Sequence, residues 1–336
     1  YKLVIIIRND RYVVDEGEGI IYLKDFGLTL RFKGGLKWRG RQGRLEVIYN
    51  EARRRWYAHI PMEVEVVAEA KGKARAGVDL GIINLATVYV EDGTWFLFKG
   101  GGVLSQYEYY GKRISRVQKV LARHRQRTSR RLKVLYDKRG RFLKHALNSM
   151  VRKIMGELIV RGVGEVVVGY PKGIARGRGN KLTSNFWNYN YTIRRFEEVG
   201  EELGIRVISV PEPNTSKDCS LCGDAHEGGR VKRGLFKCPR IGVVINADLN
   251  GARNISYIPE SLGSVDGGFS VVRDRGNGLK AQPVVYRWTN GAGWVNPTSC
   301  EVVRMKAMNH EPMNRPKGTL HPLGRGGGQC AKQWGL

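Results

Sequence analysis

Cys219-Ser220-Leu221-Cys222-Gly223 pairs two thiols at a spacing that lets both face one ion, with a glycine where the chain turns sharply beneath them. Cys238, in Phe236-Lys237-Cys238-Pro239, is a return ligand spaced as in a zinc ribbon. The last cysteine of a second knuckle belongs at position 241, which is Ile241. Tetrahedral Zn2+ takes four ligands, and His226, shortly after Cys222, is the nearest suitable donor. A surface histidine in a glycine-rich loop is the competing reading of His226. The set Cys219, Cys222, His226 and Cys238 reads as a closed, structural zinc site. Cys300 and Cys330 lie apart from it, and such clustering favours metal over disulfides in an intracellular protein.

Asp79 and Asp248 point to a second chemistry. Asp79 sits among apolar neighbours in Ala76-Gly77-Val78-Asp79-Leu80-Gly81, where a carboxylate is costly unless paired or bound to a metal. Asp248 follows Asn246-Ala247 at a helix start, and alone it reads as an N-cap or first-turn acid complementing the helix dipole. Convergent carboxylates at strand ends supply the oxygen ligands that Mg2+ prefers. Two such ions, about 3.5–4 Å apart, activate a water and stabilise the leaving oxygen of a phosphodiester.

The elements that must position these groups are legible in the hydrophobic period. Residues before 70 alternate apolar and polar positions in short runs such as Ile20 to Leu23, Leu28 to Phe32, Leu45 to Tyr49 and Trp56 to Ile60, which predicts a β-rich module. From Ala74, three runs predict a meander: Ala76 to Gly81, Leu85 to Val90 and Thr94 to Phe98, with a Glu91-Asp92-Gly93 turn. Residues 104–160 switch to helical spacing and predict two helices joined near Gly140. Glu165 to Tyr170 is a fourth, buried strand. A Gly/Arg-rich loop from Gly173 to Lys181 precedes an amphipathic helix through Phe186, Ile193, Phe196, Val199 and Leu203, ended by Gly204. Ile205 to Val210 makes a fifth strand, and Asp248 to Ile255 opens a final helix. The order βββαβαβ, insert, α predicts an α/β fold with a mixed, partly antiparallel sheet.

The net charge of +27, from 58 Lys and Arg against 31 Asp and Glu, points to a polyanionic partner, with nucleic acid ahead of an acidic membrane surface. No run approaches the roughly 18 apolar residues of a membrane span, and no signal-like start is present, so the expected location is intracellular, cytoplasmic or with the nucleoid. The chain opens without Met inside a strand-like run, Tyr1 to Ile7, as expected where an N-terminal portion lies upstream. Candidate phosphate contacts are Arg53, Arg54 and Arg55 in the first module, and Lys112, Arg113, Arg123, Arg125, Arg127, Arg130 and Arg131 in the helical pair; Arg176 and Arg178 lie in the Gly/Arg-rich loop. A solvated helix or sheet face is the competing reading. Between Lys112 and Lys144, however, Asp137 is the sole acid.

Four ordered motifs resemble those of the TnpB family: Gly77-Val78-Asp79-Leu80-Gly81-Ile82-Ile83-Asn84-Leu85-Ala86-Thr87; Thr215-Ser216-Lys217-Asp218-Cys219-Ser220-Leu221-Cys222-Gly223; Arg233-Gly234-Leu235-Phe236-Lys237-Cys238; and Asn246-Ala247-Asp248-Leu249-Asn250-Gly251-Ala252-Arg253-Asn254-Ile255. TnpB proteins are transposon-encoded, RNA-guided DNA nucleases related to type V CRISPR effectors. The resemblance covers roughly residues 1–257. It implies an RNase H-like, RuvC-type core with an inserted helical hairpin and zinc ribbon, preceded by a β-rich wedge that holds a guide RNA. It also implies cleavage of target DNA with Mg2+ or Mn2+, while Zn2+ is structural. In archaeal relatives the position matching His226 is commonly a metal ligand.

The chain departs from that pattern where most members carry a second catalytic Glu, at the end of the fourth strand, which here reads Gly169-Tyr170. One reading is an inactive nuclease that still binds guide RNA and DNA, acting as a repressor or transposon accessory. The other is a rearranged site, as in some TnpB and Fanzor relatives, with Glu212 in Val210-Pro211-Glu212-Pro213 joining Asp79 and Asp248. An exposed loop acid is the alternative for Glu212. The expected domains are a wedge over 1–72, a nuclease core over 73–213 with the basic hairpin 104–160, the ribbon over 214–243, the last core helix over 244–257 and a Gly/Arg-rich tail over 258–336. Much of that tail is expected to be mobile or to order on RNA, with Tyr286, Trp288 and Trp294 able to dock on the core. The pattern carries no signal of oligomeric state.

Overall fold

The computed structural model describes residues 4–65, 72–170, 182, 186–211, 217–232, 234–258 and 282–298. Tyr1–Pro297 forms one compact unit, and of the second, Thr298–Leu336, only Thr298 is described.

The N-terminal part is built of β1 (Val4–Ile7), β2 (Tyr12–Asp15), β3 (Ile20–Leu23), β4 (Leu28–Arg31), β5 (Arg41–Gln42), β6 (Leu45–Asn50), β7 (Arg55–His59) and β8 (Met62–Glu63). They pair antiparallel in three small sheets, β1-β6-β7, β2-β3-β4 and β5-β8. Their inward positions, Ile7, Tyr12, Ile21, Leu23, Leu45 and Val47, make a core of their own. The alternation read from the sequence thus becomes a half-buried sheet surface.

The larger sheet starts with the expected meander, β9 (Ala74–Asp79), β10 (Asn84–Val90) and β11 (Trp95–Lys99). Helices α1 (Gly101–Arg123) and α2 (Arg130–Val160) follow, then β12 (Val163–Tyr170), α3 (Tyr189–Leu203) and β13 (Arg206–Pro211). A small antiparallel sheet of β14 (Arg230–Lys232), β15 (Leu235–Lys237) and β16 (Val244–Asn246) leads into α4 (Ala247–Ser256). The last described strands are β17 (Val284–Thr289) and β18 (Gly293–Val295). The sheet order is β13-β12-β9-β10-β11-β17-β18, with β12 parallel to both β9 and β13. The first five strands of that order make an RNase H-like mixed sheet.

Both faces of the sheet are covered, which is why its strands read as near-continuous apolar runs. Ala76, Val78, Val88, Phe98, Val166 and Val168 pack with residues of α1, α2 and α3. The alternate positions Tyr89, Leu97, Val167 and Val210 pack with Leu249, Ala252 and Ile255 of α4.

One expectation is corrected. The helical pair does not break near Gly140, which lies inside α2; the break is at residues 124–129. Arg125 there adopts φ 54°, and Ser129 caps α2 by accepting a hydrogen bond from Leu132 N at 3.2 Å. An exposed glycine costs a helix only about 1 kcal/mol relative to alanine, whereas the apolar spacing on either side of Gly140 stays in phase. Part of the tail joins the core: residues 284–295 belong to its sheet, making it seven-stranded. β17 runs parallel to β11, Tyr286 stacks on Phe98 at 4.6 Å, and the Trp294 indole donates to Ala146 O at 2.9 Å. Aromatic burial holds this segment, as the docking reading of Tyr286, Trp288 and Trp294 expected.

Candidate nuclease site and metal centre

Asp79 is the last residue of β9 and pairs across to Thr87 on β10. Asp248 occupies the first turn of α4, and the sheet face brings that turn against it. Two glycines make the approach possible. A Cβ on Gly77 of β9 would lie 2.1 Å from Ala252 O, and one on Gly251 would lie 2.8 Å from Asp79 Oδ2. A side chain at Gly77 would lift the helix off the strand, and one at Gly251 would push the Asp79 carboxylate out of place.

The capping role that Asp248 could have filled belongs to its neighbour. Asn246 Oδ1 accepts from Asp248 N at 2.9 Å and from Leu249 N at 3.0 Å. The Asp248 carboxylate is instead held by Asn84, whose Nδ2 donates to Asp248 Oδ2 at 2.6 Å. Asn84 is buried at the start of β10. Sequence reasoning passed over it, although a polar amide directly before the apolar run Leu85-Ala86 is a usable signal.

Enclosure and the nearby Asp248 carboxylate push the Asp79 carboxyl up to about 7, against the opposing pull of the Arg230 guanidinium. Arg230 comes from β14, so the small sheet contributes a cation to the site; sequence reasoning did not single it out. An enclosed carboxyl whose proton affinity is raised by a neighbouring carboxylate is a cation site in waiting. Oxygen donors of this kind fit Mg2+ or Mn2+.

Of the other acid positions, β12 ends on Gly169 and Tyr170, neither of which carries a carboxylate. Val168 pairs with Val78 and Gly169 with Val210, so Asp79 and the end of β13 share one edge of the sheet. Glu212, next in sequence after Pro211, lies outside the described residues, as do Arg176 and Arg178.

The second cluster is assembled as expected. Ligand atoms of Cys219, Cys222, His226 and Cys238 all lie within 4.8 Å of one another. His226 Nε2 is 3.1 Å from Cys222 Sγ and 3.6 Å from Cys238 Sγ, edge lengths compatible with a tetrahedron around zinc. Without a cation, burial pushes the Cys222 thiol up to about 12. Cys238, despite burial, is brought down to about 7 by the Ile241 amide, Cys219 and His226. The donor set therefore fits Zn2+, which would hold all three cysteines as thiolates.

The two knuckles are near copies. Gly223 N donates to Cys219 O and Gly242 N to Cys238 O, each at 2.9 Å, and both glycines take positive φ, 91° and 68°. The second knuckle keeps its backbone although Ile241, 51% exposed, replaces a cysteine. His226 closes the site from the other side.

The basic residues divide into two kinds. Arg54, Arg55, Lys112, Arg113, Arg123, Arg125, Arg127, Arg130 and Arg131 are exposed. Arg53 is engaged: its Nε donates to Asp137 Oδ2 at 3.1 Å and its Nη1 to the Tyr57 hydroxyl at 2.7 Å. Asp137 also accepts from Arg141 at 2.9 Å. This tie between the β6–β7 turn and α2 borders an open groove of about 900 Å3 lined by Tyr49, Arg53, Tyr57, His59, Lys133 and Lys144 among others. Among the described residues no helix is long and apolar enough to cross a membrane.

Fold and site together define the RNase H-like, RuvC-type class with an inserted Cys3His ribbon. Residues 59–175 match the family model described as a probable transposase, and residues 189–255 match that of the Cas12f1-like TNB domain. The TnpB-like protein ORF457 of Acidianus two-tailed virus is 36% identical over 287 residues, spanning 76% of this chain and 61% of that protein. The CRISPR-associated endodeoxyribonuclease Cas12f1 of Sulfoacidibacillus thermotolerans is 27% identical over 63% of this chain and 52% of its own length. The putative RNA-guided DNA endonuclease InsQ of Escherichia coli (strain K12) is 27% identical over 60% of this chain and 53% of its own. Among solved structures, a CRISPR-Cas12f ternary complex covers 65% of this chain and 46% of that one, at 21% identity and a TM-score of 0.48. The chain belongs to the TnpB family. It spans between about half and three fifths of the length of these curated relatives.

Proposed function

We propose that this chain is the catalytic part of an RNA-guided DNA endonuclease of TnpB type, associated with a transposable element. The observation that carries the reading is the convergence of Asp79 and Asp248 at one edge of an RNase H-like sheet, with α4 brought into contact by Gly77 and Gly251. Family membership and the charge of +27 support a nucleic-acid substrate.

Asp79 and Asp248 would hold the divalent cations, with Glu212 as the third acid. Support for Glu212 is its sequence position directly after β13, at the edge where Asp79 ends its strand. When bound, Mg2+ or Mn2+ supplies a nucleophilic water and charge stabilisation for the leaving oxygen. The chain's own part is to aim the carboxylates. Asn84 fixes one oxygen of Asp248, and Arg230 offsets the repulsion between the acids. Cys219, Cys222, His226 and Cys238 would hold structural Zn2+. The exposed cations of α1 and α2 and the β6–β7 groove are the proposed path for guide RNA and target DNA.

One observation favours a second reading, an RNA-guided DNA-binding protein without cleavage: β12 ends on Gly169-Tyr170. The deciding experiment purifies the protein with its bound RNA and offers matching DNA with Mg2+. The endonuclease reading expects cutting that Asp79→Ala abolishes and Glu212→Gln strongly reduces. RNA-dependent binding without cutting supports the second reading, and cutting that survives Glu212→Gln removes Glu212 from the site.

A further inference from the structure

Two asparagines in α4 are spent in a way that neither the nuclease site nor the helix requires. Asn250 is fully buried and Asn254 is 4% exposed. Asparagine is a poor residue for a helix interior, and a buried amide costs stability unless its hydrogen bonds are met. Asn250 Oδ1 accepts from Ser220 N at 2.8 Å, and its Nδ2 donates to Asp218 O at 2.7 Å. Asn254, one turn further on, donates from Nδ2 to the same Asp218 O at 2.8 Å. Asn250 therefore grips the backbone on either side of Cys219, the first thiol of the ribbon, and Asn254 adds a second hold on the Asp218 side.

The same helix is tied to the ribbon at its start. β16 runs directly into α4, and Ala247 N donates to Gly234 O at 3.0 Å. On another side of the helix, Asp248 meets Asn84 and Gly251 lies against Asp79. Helix α4 is thus a rigid piece between the Cys3His cluster and the carboxylates, fastened to both.

We propose that Asn250 and Asn254 are positioning residues that couple the Cys219 knuckle to the nuclease acids, so that a metal-loaded ribbon sets the position of Asp248 opposite Asp79. The ribbon is then a working part of the cation site as well as a fold element. With the knuckle loaded, the Asp218 and Ser220 backbone is held in place and α4 cannot slide along β9. With the knuckle empty, the buried thiols lose their common ligand, and the grip on α4 slackens. This inference rests on the nuclease reading above.

The test uses the full, zinc-loaded chain and follows Mn2+ binding by the electron paramagnetic resonance of the free ion. The unaltered protein should show a Mn2+ site that Asp248→Ala removes. Asn250→Ala and Asn254→Ala, at unchanged zinc content and circular dichroism, should weaken that site by roughly 10–100-fold, the range seen when groups supporting a metal ligand are removed. Stripping zinc from the unaltered protein with a thiol-competing chelator, itself removed before Mn2+ is added, should weaken the site similarly. This arm decides the matter if the asparagine variants fold poorly. Unchanged Mn2+ affinity after zinc removal overturns the coupling. An unaltered protein with no Asp248-dependent Mn2+ site overturns the nuclease reading, and the coupling with it.

Discussion

Asp79 shows how a single carboxylate links stability to ligand binding. Its folded-state proton affinity is raised to about 7 by enclosure and by Asp248, so the folded chain holds a proton that the unfolded chain has already released. Between the ordinary carboxylate range and about pH 7 the folded state binds more protons, and stability therefore falls as pH rises through that window. Asp79→Asn removes this penalty. Without added Mg2+, the variant should melt higher than the parent at pH 8, by about 2–4 °C for each kcal/mol relieved, with a smaller difference at pH 5. Calorimetry at the two pH values checks it; an equal difference at both would contradict the assignment. In the ribbon, the matched knuckles make a second test. His226→Ala should lose bound zinc, and adding Ile241→Cys should restore it, because the backbone around Cys238 already repeats that around Cys219. Zinc analysis of the purified variants reads the outcome.

At the level of elements, the helical hairpin is where local pattern misleads. Glycine is a common stop signal, yet Gly140 lies within a 31-residue helix, exposed and with nothing within 4 Å of a would-be Cβ. Gly140→Ala should therefore stabilise the protein by about 0.5–1 kcal/mol, seen as a shift in the urea midpoint at constant slope. Destabilisation would mean a kink there. The opposite holds for Gly77 and Gly251, whose missing side chains let α4 touch β9. Glycine is an entropic cost at Gly140 and serves the close approach of helix and strand at the other two.

Across the whole molecule, the excess of cations is concentrated on α1, α2 and the loop between them, while Asp137 joins α2 to the β6–β7 turn through Arg53. Exposed cations of this kind act on polyanions through counterion release. Arg130→Gln and Arg131→Gln should each lower the slope of log affinity against log salt by about 0.7–0.9 for the cognate nucleic acid, with little change in melting temperature. A filter-binding salt titration measures it, and an unchanged slope would place those residues on a solvated face. The tail segment belongs to this scale too. β17 and β18 cover the β11 edge, with Tyr286 donating to Glu157 on α2 at 2.7 Å, so a distant stretch of chain completes the sheet.

Much of this was legible in the residues alone. The period-two and helical runs located the meander, the later strands and α3, because a strand buried on both faces and an amphipathic helix leave different apolar spacings. Cysteine spacing and the missing cysteine at Ile241 defined the ribbon's donor set, since ligand geometry is local. What only the tertiary structure decided is non-local. The pairing of Asp248 with Asn84, the entry of Arg230, the grip of Asn250 and Asn254 on the Cys219 knuckle, and the addition of β17 to β11 all join residues far apart in the chain. No period or motif spacing encodes such contacts; they exist only once the sheet and the last helix have packed. Asp248 could be read as a helix cap or as a cation ligand from sequence, and packing separates the two by giving the cap to Asn246 and turning Asp248 toward Asp79.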